Sequence, residues 1–263
     1  MSTPRFHVPD ASTGARLRDL APGMALPLPD PANHHARRVL RLRPGDPIVL
    51  FDGQGHEYHA LLEEAPADTP VNAGRFAARV QRGGAVDREA GVPITLVQAL
   101  SATEKIDWLV EKCVELGVAR LVLAPAERSV VRLDAARGER RLSRWHDIGV
   151  AACCQCGRNR LMDISLAADL RSAFQWAVPA AGAAWLLDPG APASLAVGAA
   201  RAEARLPVAF AVGPEGGFTP AELALGESSG YVRVRLGPRV LRTETAGLAA
   251  VTALLALSGE YER

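Results

Sequence analysis

Apolar and polar positions change rhythm near residue 90 of this 263-residue chain. Before that point, short apolar alternations bounded by turn residues predict strands at "RFHV", across "PIVLFDGQGHEYHALLEE" with Asp52-Gly53-Gln54-Gly55 as a hairpin loop, and at "GRFAARVQR". One helix interrupts them: Asp30 is placed to cap, Pro31 suits the first helical position, and "ANHHARRVLRL" runs on until Arg43-Pro44-Gly45 stops it. The segment "GGAVDREAGVP" (83 to 93) reads as a linker. Beyond it, apolar runs alternate with helical periods. "PITLVQAL" is a buried strand, and Thr103 caps a helix whose Ile106, Leu109, Val110, Cys113 and Val114 share one face before Gly117 closes it.

The alternation continues with a strand at "ARLVLAP", an Arg-rich helix around 134 to 156, a strand at 183 to 188, a helix near 192 to 204 and a strand at 207 to 212. Thr219-Pro220-Ala221-Glu222 is a capping box that starts a short helix. A strand at 231 to 236 and a strongly apolar helix from "ETAGLAAVTALLALSGEY" follow. The expectation is an α/β protein with two domains: a small β-rich domain over 1 to 85 and, over 90 to 263, a parallel sheet covered by helices on both faces.

Composition narrows the picture only a little. A formal net charge of +1 gives no global pull toward nucleic acid or membrane, so any binding face has to come from local clustering. Lysine occurs only at Lys105 and Lys112, and Arg carries the remaining positive charge. No apolar run reaches the roughly 18 residues of a membrane span, and "MSTPRFHVPD" lacks a signal-peptide core, which points to a cytoplasmic protein without a membrane partner. Cys113, Cys153, Cys154 and Cys156 offer no spaced C-x-x-C pair with a second pair elsewhere, and His34, His35, His56 and His59 form no ligand pattern, so no metal is expected.

Ligands of open parallel sheets settle at the carboxyl ends of strands, where this chain has loops after Leu187, at Gly213 to Phe218, and at Gly237 to Glu244. "GPEGGF" is a glycine-rich turn between a strand and a helix start, which lets backbone N–H groups approach a ligand. It has neither the Gly-Lys-Ser/Thr ending of a P-loop nor the spacing of a dinucleotide fingerprint. "LGPRVLRTETA" runs from a strand into a helix without a gap, and the two loops read as one composite site.

Together, "GPEGGF" and "LGPRVLRTETA" closely resemble the bacterial 16S rRNA uridine-N3 methyltransferases of the SPOUT superfamily. "RFHV", "HHARRVLRLRPGD", "LSATEKIDWLVEKCVELGV", "ERSVVRL" and "QCGRNR" extend the similarity over most of the chain. The resemblance implies a PUA-like N-terminal β-barrel, a C-terminal domain with a deep trefoil knot, S-adenosyl-L-methionine as cofactor, 16S rRNA or the small ribosomal subunit as partner, and a homodimer. One departure is Cys154, which stands where the family usually has a glutamate.

On that resemblance, the cofactor-binding positions are Leu187, Val212, Gly213, Pro214, Glu215, Gly216, Gly217, Leu236, Gly237, Leu241, Thr243, Thr245 and Ala246. Uracil N3 carries a proton and is a poor nucleophile until that proton leaves, so a general base or an environment favouring the anion is required. Glu244 is the favoured candidate over Glu215, with Arg242 as the cation for a developing oxyanion; the alternative is a first-turn carboxylate held by the helix dipole. Arg37 and Arg41, on one predicted helical face, and Arg5, Arg128, Gln155 and Arg158, in family-like motifs, are candidate RNA contacts. A solvated basic face is the other reading of the first pair, and a buried hydrogen-bonding role that of Gln155. Methylation of another RNA, or RNA binding without catalysis, are the competing functions.

Overall fold

The computed structural model describes residues 3–9, 17–65, 75–132, 134–178, 182–195 and 206–262. The chain divides into two compact units, one of residues 1–88 with 153–161, the other of residues 89–152 with 162–263.

In the first unit, β1 (Arg5–His7), β2 (Ala25–Pro27), β3 (Pro47–Phe51), β4 (His56–Glu64) and β5 (Phe76–Ala85) form a sheet of order β1-β3-β4-β5-β2. β1 runs parallel to β3, and the other pairs are antiparallel. The Asp52 to Gly55 hairpin is present between β3 and β4. Asp52 accepts the backbone N–H groups of Gln54 and His56 and the His56 ring, so one carboxylate organises the turn. The inward positions, among them Phe6, Leu26, Leu50, Tyr58, Leu62, Phe76 and Val80, make one apolar core.

The helix after residue 30 differs from the expectation. Asp30 is its first residue rather than its cap, since Pro29 holds the cap position, and the Asp30 carboxylate pairs with Arg75. After α1 (Asp30–His34) the winding loosens to a π-type segment over His35–Val39, and the chain leaves it with Arg41 at φ 53°. Arg37 and Arg41 therefore do not share a face of a regular helix. The segment Cys153–Leu161, carried in the second domain on sequence grounds, groups with the first unit. Gly55 N–H donates to Asn159 O, Leu161 N–H to Gly53 O, and Asn159 Nδ2 to Val86 O, which adds this segment to the rim of the small sheet.

The second unit contains β6 (Ile94–Ala99), α2 (Thr103–Glu115), β7 (Arg120–Ala124), α3 (Ala135–Cys156), β8 (Asp163–Leu166), α4 (Leu170–Ala177), β9 (Ala183–Leu187), β10 (Val208–Val212), α5 (Pro220–Ser228), β11 (Val232–Val234) and α6 (Thr243–Leu257), with the last residues of α3 belonging to the first unit. Its sheet is parallel throughout, in the order β11-β9-β10-β6-β7-β8. The order reverses between β6 and β10, the crevice where such sheets take their ligands. β8 and α4 lie in a stretch for which the apolar pattern predicts neither. The helix expected near 192 to 204 falls largely outside the described residues.

α2 buries the five apolar residues predicted, and Gly117 follows its end at φ 77°. Ala102, not Thr103, holds its cap position, without a side-chain bond. The capping box at Thr219 and Glu222 is complete. α6 packs on β6, β10 and α2, burying Leu248, Val251, Leu254 and Leu255 in its own chain. Gly247 lets it lie close, since a Cβ there would come 3.1 Å from the Leu96 methyls.

Candidate active site

A cavity of about 580 Å³ opens at the carboxyl ends of β9, β10 and β11. Its size falls within the range of small-molecule and cofactor sites. Leu187, Asp188 and Pro189 supply one wall, Val212 to Phe218 the next, and Leu236 with Arg239 to Thr243 and Ala246 the third, while Lys105 and Leu223 complete the lining. Of the predicted cofactor positions, Leu187, Val212, Gly213, Pro214, Glu215, Gly216, Gly217, Leu236, Leu241, Thr243 and Ala246 are thus gathered round one space. Gly237 and Thr245 do not line it. Gly237 forms a turn at φ 72°, and Thr245 is exposed with its N–H on the Arg242 carbonyl.

The glycine turn is held from several directions. Thr243 Oγ1 donates to Gly213 O at 2.5 Å and itself accepts from Gln98 Nε2 at 2.8 Å. Gln98 is fully buried in β6, opposite Val212, and its second amide hydrogen goes to Ala99 O. Arg128 Nη1 donates to Gly216 O at 2.9 Å. Glu222 accepts Thr219 N–H with one oxygen and Glu127 N–H with the other, so the helix cap also ties in the loop that carries Arg128. Close packing explains Gly213, where a Cβ would stand 3.0 Å from Phe218 N and 3.2 Å from Gly217 C, and backbone conformation explains Gly217, at φ 68°.

Charge is concentrated on the cavity wall. Lys105 Nζ lies 3.0 Å from Glu215 Oε1 and 3.3 Å from Glu244 Oε2. The Glu215 hydrogen bond, more than the Glu244 contact, pushes the Lys105 ammonium above the usual lysine range. Glu244 does not itself line the cavity; its Oε2 is buried and, among the described residues, finds no hydrogen-bond partner beyond its ion contact with Lys105. Arg242 is exposed at the cap position of α6, on the lining but without a side-chain cap bond. Asp188 accepts Gly190 N–H and is gripped by Arg233 Nε and Nη2, which holds the Arg233 guanidinium above its usual range.

Lys105 and Asp188 were not among the residues anticipated. The signal for Lys105 was the scarcity of lysine, which occurs elsewhere only at Lys112. Asp188 closes the "AAWLLD" strand, where a carboxylate after an apolar run marks the strand's ligand end.

The residues anticipated for RNA part ways. Arg128 belongs to the cavity's surroundings through Gly216. Arg5 is in the first unit, donating to Glu57 at 2.9 Å and Asn159 at 2.5 Å, with its guanidinium 5.2 Å above the Phe51 ring. With Arg88 on the same carboxylate, Glu57 is held down to about 2, the Arg88 hydrogen bonds contributing most. Arg158 is buried and Gln155 exposed. Arg37 and Arg38 border a shallow concavity with Asp30, Asn33 and His34, Arg37 lying 5.1 Å over the Phe76 ring, and Arg41 is exposed.

The cavity suits S-adenosylmethionine on its own chemistry. Leu187, Val212, Leu236 and Leu241 give the lining the apolar surface an adenine requires, and Glu215 and Asp188, although paired with Lys105 and Arg233, add carboxylates of the sign that complements a sulfonium and an ammonium.

A parallel sheet with a glycine turn and a strand-to-helix loop enclosing one cavity at its carboxyl edge defines an α/β domain that binds a small organic ligand. Comparison with known proteins makes this specific. Residues 88–255 match the model of an RNA methyltransferase domain, and residues 28–70 that of an RNA methyltransferase PUA domain. A ribosomal RNA small subunit methyltransferase E from Mycobacterium bovis is 35% identical over 87% of this chain and 85% of its own. A ribosomal RNA small subunit methyltransferase E from Neisseria gonorrhoeae, solved bound to S-adenosylmethionine, is 32% identical with a TM-score of 0.81 over 97% of this chain and 98% of that one. A Legionella pneumophila protein solved with the same cofactor is 30% identical, with a TM-score of 0.84 over 98% of both chains. The chain belongs to this family of RNA methyltransferases, with a PUA-type domain ahead of its methyltransferase domain.

Proposed function

We propose that this protein uses S-adenosylmethionine to methylate N3 of a uridine in the 16S rRNA of the small ribosomal subunit. The observation that carries the reading is the single cavity that "GPEGGF" and "LGPRVLRTETA" form at the carboxyl ends of β9, β10 and β11. Two relatives with the same architecture bind S-adenosylmethionine, and the curated relative acts on small-subunit ribosomal RNA by name. In this reading the small sheet closes as a barrel, the α6 segment threads a trefoil knot, and the protein works as a cytoplasmic homodimer. The domains are taken as 1 to 85 and 90 to 263, with 153–161 serving the first unit.

S-adenosylmethionine, when bound, supplies an electrophilic methyl group on a sulfonium. The chain's own task is to position, exclude water and manage charge. Leu187, Val212, Leu236 and Leu241 hold the adenosine, and the backbone from Gly213 to Gly217 surrounds the methionyl part, with Gly237, Thr245 and Ala246 shaping the closing loop. Glu244 and Arg242 are the first candidates for base and cation, both at the start of α6. A paired uridine has to leave its stack before its N3 edge is accessible, so the acceptor arrives extruded or unpaired. Arg5, Arg37, Arg41, Arg128, Gln155 and Arg158 remain the candidates for guiding RNA.

The test is incubation of the protein with labelled S-adenosylmethionine and small subunits lacking the modification, followed by nucleoside mass spectrometry. A 3-methyluridine product is expected. Label in a different nucleoside, or in another RNA only, sinks the assignment.

A further inference from the structure

Lys105 stands in the first turn of α2, just beyond the carboxyl end of β6, and lines the cavity. Two carboxylates from separate segments fix its ammonium, Glu215 on the glycine turn and Glu244 on α6. The Glu244 oxygen nearest it is buried and that residue does not line the cavity, so of the three groups at this corner Lys105 and Glu215 face the space while Glu244 holds the ammonium from behind. Around it, Asp188 is occupied by Arg233, Arg128 by the Gly216 carbonyl, and Arg239 and Arg242 are exposed on the closing loop. Lys105 is thus the lining cation that other side chains aim. Both pairs hold its pKa up, which keeps it an ammonium and excludes it as a base at neutral pH.

We propose that Lys105 is the catalytic cation of the methyl transfer, its ammonium meeting a carbonyl oxygen of the acceptor uracil, and that Glu215 and Glu244 are positioning residues that hold it there. This rests on the uridine-N3 reading given above. The N3–H bond breaks with its proton passing to water, and the electron pair stays on the ring, shared with the carbonyl oxygens beside N3. Lys105 stabilises that anion. The N3 pair then forms the N–CH3 bond as the S–CH3 bond breaks, with its electrons remaining on sulfur. Lys105 replaces Arg242 as the cation, and Glu244 acts through Lys105 instead of taking the proton.

The experiment compares Lys105→Gln, Lys105→Arg and Glu244→Gln with the parent protein on unmodified small subunits, measuring kcat against pH and cofactor affinity by calorimetry. For Lys105→Gln, kcat falls roughly 100-fold. Its acid limb, which reports ionisation of the bound uracil, moves to higher pH by about one unit, and cofactor affinity stays near the parent's. Lys105→Arg keeps most of the rate and the limb in place, and Glu244→Gln gives a smaller loss with the limb still present. An unmoved limb in Lys105→Gln, or a loss of cofactor affinity that matches its loss of rate, overturns the proposal by making the lysine a fastener of the turn. A Glu244→Gln protein with no acid limb also overturns it, by returning proton removal to Glu244. Failure of the parent protein to form 3-methyluridine overturns instead the reading on which the proposal stands.

Discussion

Thr243 has one hydroxyl and two obligations: it accepts from Gln98 and donates to Gly213 O. Because the Gln98 amide hydrogen points at it, the hydroxyl hydrogen is free only for the carbonyl, so the direction of the whole line is set from the buried strand. Replacing Thr243 by Val keeps the shape and strips both bonds, leaving one buried Gln98 amide hydrogen and the Gly213 carbonyl without this partner. Such a loss costs about 1 to 3 kcal/mol, measurable by urea denaturation, and cofactor affinity should fall with it because the unpaired carbonyl belongs to the glycine turn. Thr243→Ser, which keeps the hydroxyl, should restore most of both. Glu57 shows the same economy with charge, since two arginines and Asn159 depend on one carboxylate whose side chain is 7% exposed. Its folded-state value of about 2 lies below the ordinary 4.5, so its contribution to stability is complete above about pH 4.5 and is lost as pH falls toward 2. An acid titration of the unfolding midpoint should show that loss in the parent, and Glu57→Gln should flatten it while lowering stability by about 3 kcal/mol at pH 7.

At the scale of elements, the glycine turn makes a graded prediction. Gly213→Ala drives a Cβ against backbone of the same turn, Phe218 N at 3.0 Å and Gly217 C at 3.2 Å, which cannot step aside. For Gly216→Ala the three nearest atoms are Arg128 side-chain carbons, at 3.2 to 3.7 Å. Calorimetry should therefore find cofactor binding weakened by tenfold or more in Gly213→Ala, about 1.4 kcal/mol, and much less in Gly216→Ala. Equal affinities in the two proteins would discredit this account of the turn. Elements with a strong period or a complete cap were readable: α2 from its five-residue face, α5 from Thr219 and Glu222, β6 and β10 from unbroken apolar runs. β8 was not, because a four-residue edge strand with Asp163 exposed has no alternation to display. The loosened segment after α1 escaped for a different reason, since a π-type turn keeps the same residues and moves their faces. The cavity's two loops were legible from their glycines and their place after strands, whereas Lys105 reaches them from a helix more than a hundred residues earlier in the chain.

For the whole molecule, the division into units cuts across the linear order, because Cys153–Leu161 serves the first unit. Composition marks a boundary only where the chain passes it once, and the return of a short segment at the end of α3 has no signature of that kind. A fragment of residues 1–88 leaves Glu57 without Asn159 and the Asp52 to Gly55 hairpin without its partners Asn159 and Leu161. Such a fragment should melt well below the same fragment joined by a flexible linker to residues 153–161, and circular dichroism would measure the gap. Matching melts would show that the returning segment contributes nothing. The larger unit carries its own dependence on chain order. The bond from Gln98 to Thr243 spans 145 residues, and the bond from Thr243 to Gly213 completes it. On a translating ribosome, where chains emerge from the N-terminus, the first strand of the parallel sheet therefore waits for α6 before the cavity has all its walls.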